Sequence, residues 1–330
     1  MIDATYILPI RASAVDEELI SELRDYFAEL GPHVELLVID GSPPDVFTMH
    51  HDAWTSVVRG HMPPDEDLQF RNGKVNGVVT GLRYASFDKA VIADDDVRYD
   101  LTNLQRVVDL LDMADIVRPQ NHFEPRPWHA RWDTARTLLH RSFGHDMPGT
   151  LAVRRSALQR SPAYDGDVLF ENLELLRTVR ADGGTELAPL DLFVRRRPPT
   201  TRQFWSQRVR QAYDEFARPQ LLVVELAIAP ACVVLAALGR FDVLLAVVVG
   251  LPMVLAAIGR ARGNGRAVFG LDGLAFAPMW VAERAITSWL AVVERIRFGG
   301  VRYAGGVVPR AAHSVRALGS WRPRDLAHGV

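Results

Sequence analysis

Three consecutive carboxylates, Asp94, Asp95 and Asp96, close the apolar run KAVIA in the segment KAVIADDDVRYD. Like charges this close repel, and chains tolerate them at a solvated turn or where a cation stands among them. Their oxygens are hard donors of the kind that magnesium and manganese take, with coordination positions left for water and substrate phosphates. Asp40 ends a second apolar run, VELLVID, ahead of a tight GSPPD loop. Lys74 and Asn76 open the helical pattern KVNGVVTGLRYAS, where free backbone N–H groups and an ammonium suit a phosphate. The G-x-x-x-x-G-K-S/T spacing of a Walker loop is absent.

The elements that must position these groups alternate from the start. TYILPI reads as a strand, DEELISELRDYFAEL as an amphipathic helix and VELLVID as a strand, followed by helix KVNGVVTGLRYAS and strand KAVIAD. Further on come helix LTNLQRVVDLLDM, a strand near DIVRPQ, a helix around WDTARTLLHRS, strand TLAVRR and helix LFENLELLRTVRA. This alternation predicts an α/β fold with a mostly parallel sheet covered by helices, in which ligands collect at the carboxyl ends of the strands. Asp40 and the Asp94–Asp96 triplet both fall at such ends.

The chain has 330 residues, with 38 basic and 40 acidic side chains. That balance argues against a nucleic-acid binder held by a basic body. One cysteine, Cys232, excludes an intramolecular disulfide framework and a Cys-rich zinc site. The start lacks a basic leader, so the soluble part is expected in the cytoplasm. Residues 201–217 predict one continuous amphipathic helix with Trp205, Val209, Ala212, Tyr213 and Phe216 on one stripe, and Gln207, Arg210 and Asp214 opposite. Two apolar runs then follow, QLLVVELAIAPACVVLAALG and VLLAVVVGLPMVLAAIG, each near the length that spans a bilayer. Arg218 before the pair and Arg260, Arg262 and Arg266 after it place both ends in the cytoplasm by the positive-inside tendency. Glu225, costly in lipid, should face a partner helix, water or a substrate path. GLAFAPMWVAERAITSWLAVVERI gathers Glu283, Arg284, Thr287, Ser288, Glu294 and Arg295 on one face, which suits a helix lying in the interface better than one crossing it. The expected order is a catalytic domain over 1–200, an interface helix over 201–218, two crossings over 219–260, and an interfacial helix with a basic tail over 261–330.

Taken in order, YILPIRA, VIDGS, GKVNGVVTGLRYA, VIADDDV, PGTLAVRRSAL, FENLEL and a QRVRQ helix beside membrane segments resemble the family 2 glycosyltransferases of GT-A fold. The resemblance covers roughly residues 4–260 and is nearest the membrane-embedded branch that includes ceramide glucosyltransferases and polysaccharide synthases. It implies that Asp94 and Asp96 form the D-x-D motif holding Mg2+ or Mn2+ on a sugar-nucleotide diphosphate. It implies too that Asp40 contacts the nucleoside and that Lys74 and Asn76 lie near the nucleotide. Gln207 and Arg210 match the Q-x-x-R part of a Q-x-x-R-W motif and are implied to hold the donor diphosphate; the motif's Trp is missing here, which weakens the case for a processive polymerase. The family's Glu-Asp pair is Glu171–Asn172, and an amide cannot take a proton. Glu171 therefore becomes the first candidate base, with Asp167 second.

The chemistry implied is one displacement at the anomeric carbon with inversion, from a UDP- or GDP-sugar to a lipid-linked or membrane-proximal glycan acceptor. The partners implied are a nucleotide sugar, a lipid or glycan acceptor and the cell membrane, with no nucleic acid. A nucleotidyltransferase would need a basic, Gly-rich loop where LPIRASAVDEE stands. The non-enzyme alternative is a membrane scaffold with a degenerate transferase domain.

Overall fold

The computed structural model describes residues 1–158, 164–303 and 305–320; the last part of the expected basic tail, with Asp325, lies outside them. In chain order the elements are β1 (Thr5–Ile10), α1 (Glu17–Leu30), β2 (Glu35–Asp40), α2 (Pro44–Trp54), β3 (Gly60–Met62), α3 (Gly73–Tyr84), β4 (Lys89–Ala93), β5 (Val97–Arg98), α4 (Leu101–Leu110), β6 (Ile116–Val117), β7 (Gln120–Phe123), α5 (Trp128–Phe143), β8 (Thr150–Arg154), α6 (Arg155–Leu158), α7 (Glu171–Ala181) and β9 (Glu186–Leu187). They continue with β10 (Phe193–Arg196), α8 (Thr201–Ser206), α9 (Arg208–Tyr213), α10 (Pro219–Ala237), α11 (Phe241–Leu245), α12 (Leu251–Ala261), α13 (Asp272–Ala275), α14 (Ala277–Phe298), β11 (Val301–Tyr303), β12 (Gly306–Val308) and α15 (Val315–Gly319).

Two compact units emerge. The first comprises residues 1–119, 148–188 and 313–330, and the second residues 120–147 and 189–312. The expected catalytic domain over 1–200 thus gives residues 120–147 and 189–200 to the second unit. In the first, a seven-stranded sheet runs β3-β2-β1-β4-β8-β6-β9. β3, β2, β1 and β4 are parallel, β8 is antiparallel to both neighbours, and β6 and β9 are parallel. Every residue of β1 is buried, as befits a central strand covered on both faces.

The amino end of α3 is brought to the strand tips by two devices. Asn72 caps the helix, its side-chain oxygen accepting the Lys74 N–H at 3.2 Å. Gly77 and Gly81 then lay the helix directly on β1, where a Cβ at Gly81 would come within 2.4 Å of Ile7 Cγ2. No larger residue fits that approach without moving a buried, branched side chain.

The second unit is largely helical. β7 and β10 pair in parallel, and α5 packs on α12, α13 and α14 through a core of Leu138, Leu139, Ala256, Phe269 and Trp280. The helix expected over 201–217 is broken into α8, α9 and a 3-10 turn at Asp214–Ala217. Its inward stripe also differs from the expected one: Phe204, Arg208, Ala212 and Tyr213 are buried, whereas Trp205 is half exposed. The reason is Arg208, which the hydrophobic pattern leaves out. Its guanidinium lies 3.9 Å from the Phe204 ring centroid and forks onto Asp133 at 2.7 and 3.3 Å, so a charged side chain takes a core position.

Two helical stretches, Pro219–Ala237 and Phe241–Ala261, are long and apolar enough to cross a membrane, and most of their surface is exposed. α14 is arranged in the same sense. Arg284, Thr287 and Ser288 of its polar face are buried, while Ile286, Trp289, Leu290, Val293 and Ile296 are exposed. Glu225 of α10 meets α14, accepting the Ser288 hydroxyl at 2.6 Å.

Gly81→Ala should lower stability by about 1–3 kcal/mol, because overpacking against Ile7 outweighs the gain in helix propensity of roughly 1 kcal/mol. Chemical denaturation of the purified protein measures this, and an unchanged or raised midpoint would contradict the close approach.

Candidate functional site

Three elements of the first unit converge on one ammonium. Nζ of Lys74, from the first turn of α3, lies 2.5 Å from Asp94 Oδ1 just past β4 and 2.7 Å from Glu171 Oε1 at the start of α7. Asn172 Oδ1 stands 3.5 Å from the same nitrogen. Burial of Lys74 favours the neutral amine, yet the Asp94 and Glu171 carboxylates outweigh it and push the ammonium above the usual lysine range. Asn72 adds a longer contact, its amide donating to Glu171 Oε2 at 3.4 Å and to the Val168 carbonyl at 3.2 Å.

The acidic triplet occupies a tight turn directly after β4. Asp94 donates its backbone N–H to the Gly149 carbonyl at 2.9 Å and accepts the Val97 N–H at 3.0 Å, while Arg98 donates to the Asp95 carbonyl at 2.6 Å. All three aspartates are half-buried. Asp94 and Asp96 present hard oxygen donors one residue apart, a set suited to a magnesium- or manganese-class ion.

Asp167 is exposed, and its Oδ1 accepts the Arg71 N–H at 3.0 Å. The loop that carries it presses on Phe70: a Cβ at Gly166 would come within 2.4 Å of that ring. Asn76, expected beside the nucleotide, instead spends both ends of its amide on the Phe70 backbone, accepting N–H at 3.0 Å and donating to the carbonyl at 3.3 Å. Its observed work is to hold the loop ahead of α3. Gln207 stands at the break between α8 and α9, and Arg210 lies 5.3 Å from the Tyr303 ring centroid; both belong to the second unit.

Asp40 sits where the sequence expects it, at the end of β2, and is almost wholly buried. Its Oδ2 is 2.6 Å from His50 Nδ1 and 3.2 Å from His61 Nε2, and its Oδ1 accepts the Ser42 N–H at 2.9 Å. Burial alone would raise this carboxyl. The bonds from His50, His61 and Ser42 prevail and hold it well below the usual carboxylate range. His61 is stacked on Phe47 and also meets His51 Nδ1 at 3.1 Å. Sequence reasoning missed these histidines, although the pair in MHHDAW and the lone His in RGHMPP were visible.

The arrangement can hold a divalent cation on the strand tip, offer Lys74 to an anionic group, and present Glu171 as a proton acceptor. No family model matches the chain, and no curated protein matches it. Among solved structures it is similar to a mannosyltransferase from Pyrobaculum calidifontis in complex with GDP-Man and Mn2+, at 17% identity and TM-score 0.50, over 89% of this chain and 87% of that one. It also matches the glucosyl-3-phosphoglycerate synthase of Mycobacterium tuberculosis with Mn2+ and UDP, at 19% identity and TM-score 0.40, over 61% of this chain and 74% of that one. The likeness to the mannosyltransferase is one of fold.

Lys74→Met leaves two partly buried carboxylates facing each other and should cost on the order of 3 kcal/mol. The lysine is raised above its unfolded value, so its contribution is complete below that value and is lost only as pH rises through the folded one. The stability gap between wild type and variant should therefore stay flat from about pH 6 to about pH 9. Denaturation midpoints across that window test it; a gap that closes there would remove Lys74 from the bridge.

Proposed function

We propose that this chain is a metal-dependent glycosyltransferase that moves a sugar from a UDP- or GDP-sugar to an acceptor held at a membrane surface. The observation that carries this reading is the Lys74 bridge. It ties the strand-tip Asp94, at the carboxyl end of β4, to the candidate base Glu171, in a fold shared with a transferase seen with GDP-Man and Mn2+.

Asp94 and Asp96 would hold Mg2+ or Mn2+, which when bound neutralises charge on the donor diphosphate. Without a donor, Lys74 is satisfied by Asp94 and Glu171. A diphosphate offers it a more highly charged partner, and as the ammonium turns to the leaving group it frees the Glu171 oxygen it had occupied. Glu171 then accepts the proton of the acceptor hydroxyl while that oxygen attacks the anomeric carbon from the face opposite the diphosphate, so that configuration inverts. Asp167 is the second candidate base, but its engagement with the Arg71 N–H makes it the weaker one.

The proposal that the acceptor is lipid-linked rests on the second unit. Its two apolar stretches and the outer face of α14 turn Leu, Val, Ile and Trp outward, a pattern that water penalises and acyl chains do not. The arginines at both ends of the apolar pair favour a cell-membrane protein with its catalytic unit on the cytoplasmic side.

Membranes containing the protein, incubated with labelled UDP- and GDP-sugars and then extracted for lipid, should yield a labelled product. Asp96→Asn should abolish it in a protein that still folds, and retained turnover would overturn the metal assignment. Glu171→Gln should lower kcat by about 10^2–10^4-fold with donor KM little changed. Matching losses in kcat and donor affinity would instead make Glu171 a structural partner of Lys74.

A further inference from the structure

One turn further along α7, a second group of ionisable side chains meets. Asp165 from the loop before α7, Glu174 from α7 and His313 from the segment before α15 are 7%, 0% and 8% exposed. One ligand atom from each lies within 4.8 Å of the others. Nδ1 of His313 is 2.7 Å from Glu174 Oε1 and 3.6 Å from Asp165 Oδ2. The His313 N–H donates to Glu174 Oε2 at 2.7 Å, and Arg177 Nη1 donates to the His313 carbonyl at 2.6 Å.

Hydrogen bonding does not close this cluster. Asp165 Oδ1 accepts the Asp167 N–H at 2.8 Å, but Oδ2 points at His313 from beyond hydrogen-bond range. A single ring nitrogen cannot serve two carboxylates at these distances. Burial holds the Asp165 carboxyl above its ordinary range; the Asp167 N–H and His313 oppose the rise, and the charges of Glu174 and Asp167 add to it. Two acids drawn together out of water call for a cation between them. One imidazole nitrogen and two carboxylate oxygens, from three separate segments, form the mixed N/O set that first-row divalent ions take.

We infer that Asp165, Glu174 and His313 form a second divalent-ion site, of zinc class, that clasps the segment carrying α15 onto α7. The ion takes the lone pair of Nδ1 in place of a proton, which is released on binding, and bridges the carboxylates, with water completing its coordination. The site is structural. It anchors the helix whose first residue is Glu171 and assigns a function to a histidine that the strand-tip chemistry does not use.

The test uses full-length, tag-free protein in detergent, stripped with chelator and titrated with Zn2+ by calorimetry without sugar nucleotide. The Asp94→Asn/Asp96→Asn background removes the strand-tip donors. One Zn2+ per chain should bind in that background, and Co2+ in its place should give the visible absorption of a low-symmetry site. Adding His313→Ala should weaken Zn2+ binding about 100-fold or more, and the gentler Asp165→Asn about tenfold or more. Should His313→Ala not fold, as judged by circular dichroism, Asp165→Asn decides. Absence of stoichiometric binding, or binding that these changes leave untouched (an adventitious ion only), overturns the proposal. No donor is present, so failure here leaves the transferase reading intact, and a failed transfer assay leaves the zinc stoichiometry intact.

Discussion

The ammonium of Lys74 is the constraint around which the first unit is organised. It touches both the strand-tip Asp94 and the helix-start Glu171, and each of these acids would repel the other without it. Every nearby device serves its placement. Asn72 caps α3 at the Lys74 N–H, Asn76 ties down the loop before the helix, and Gly77 and Gly81 let the helix lie on β1. A site built this way is satisfied before any ligand arrives. In the proposed reaction its charge would be handed from two carboxylates to a diphosphate, and that exchange would link the resting fold to the chemistry.

Asp40 shows the same economy in a different form. A buried carboxylate is costly unless its oxygens are taken up by donors, and here two histidines and a backbone N–H do so. The histidines come from α2 and β3, so the β2 tip, the following helix and the sheet edge are locked together by one acid. The second unit sets buried polar pairs beside its apolar core of Leu138, Leu139, Ala256, Phe269 and Trp280. Arg208 and Asp133 pair inside, Ser288 meets Glu225 between helices, and the outside of α10, α12 and α14 is apolar. An apolar exterior over satisfied polar pairs is what the proposed membrane location would require, since lipid supplies no hydrogen bonds and makes no demand on an exposed leucine.

Much of this was legible in the sequence because periodicity reports burial. TYILPI, VELLVID and KAVIAD became β1, β2 and β4, and the helical patterns around Lys74 and Glu171 became α3 and α7 with ends shifted by a few residues. The region 44–62 was not read, since α2 is polar and histidine-rich and β3 is three residues long. The stripe over 201–217 was misplaced because a pattern of apolar residues cannot foresee an arginine neutralised in the core. The polar face of α14 was legible from its spacing, but not that Arg284, Thr287 and Ser288 of it are buried: spacing identifies a face, and only the packing partners decide whether that face points in or out. Nor does any local signal announce that His313 returns to α7.

Asn172 draws these strands together. A carboxylate is expected at that position from the family pattern, and its absence reads from sequence as a loss. In the structure the amide donates through Nδ2 to the Pro148 carbonyl at 3.1 Å while its oxygen faces Lys74 at 3.5 Å. An aspartate there could not donate to Pro148, and it would set a third negative group against an ammonium already shared by Asp94 and Glu171. With the amide in place, the lysine has two full charges to balance instead of three, and in the proposed reaction the base would be Glu171. The departure from the pattern is thus compatible with catalysis, provided that the proton passes to the residue before Asn172 and not to Asn172 itself.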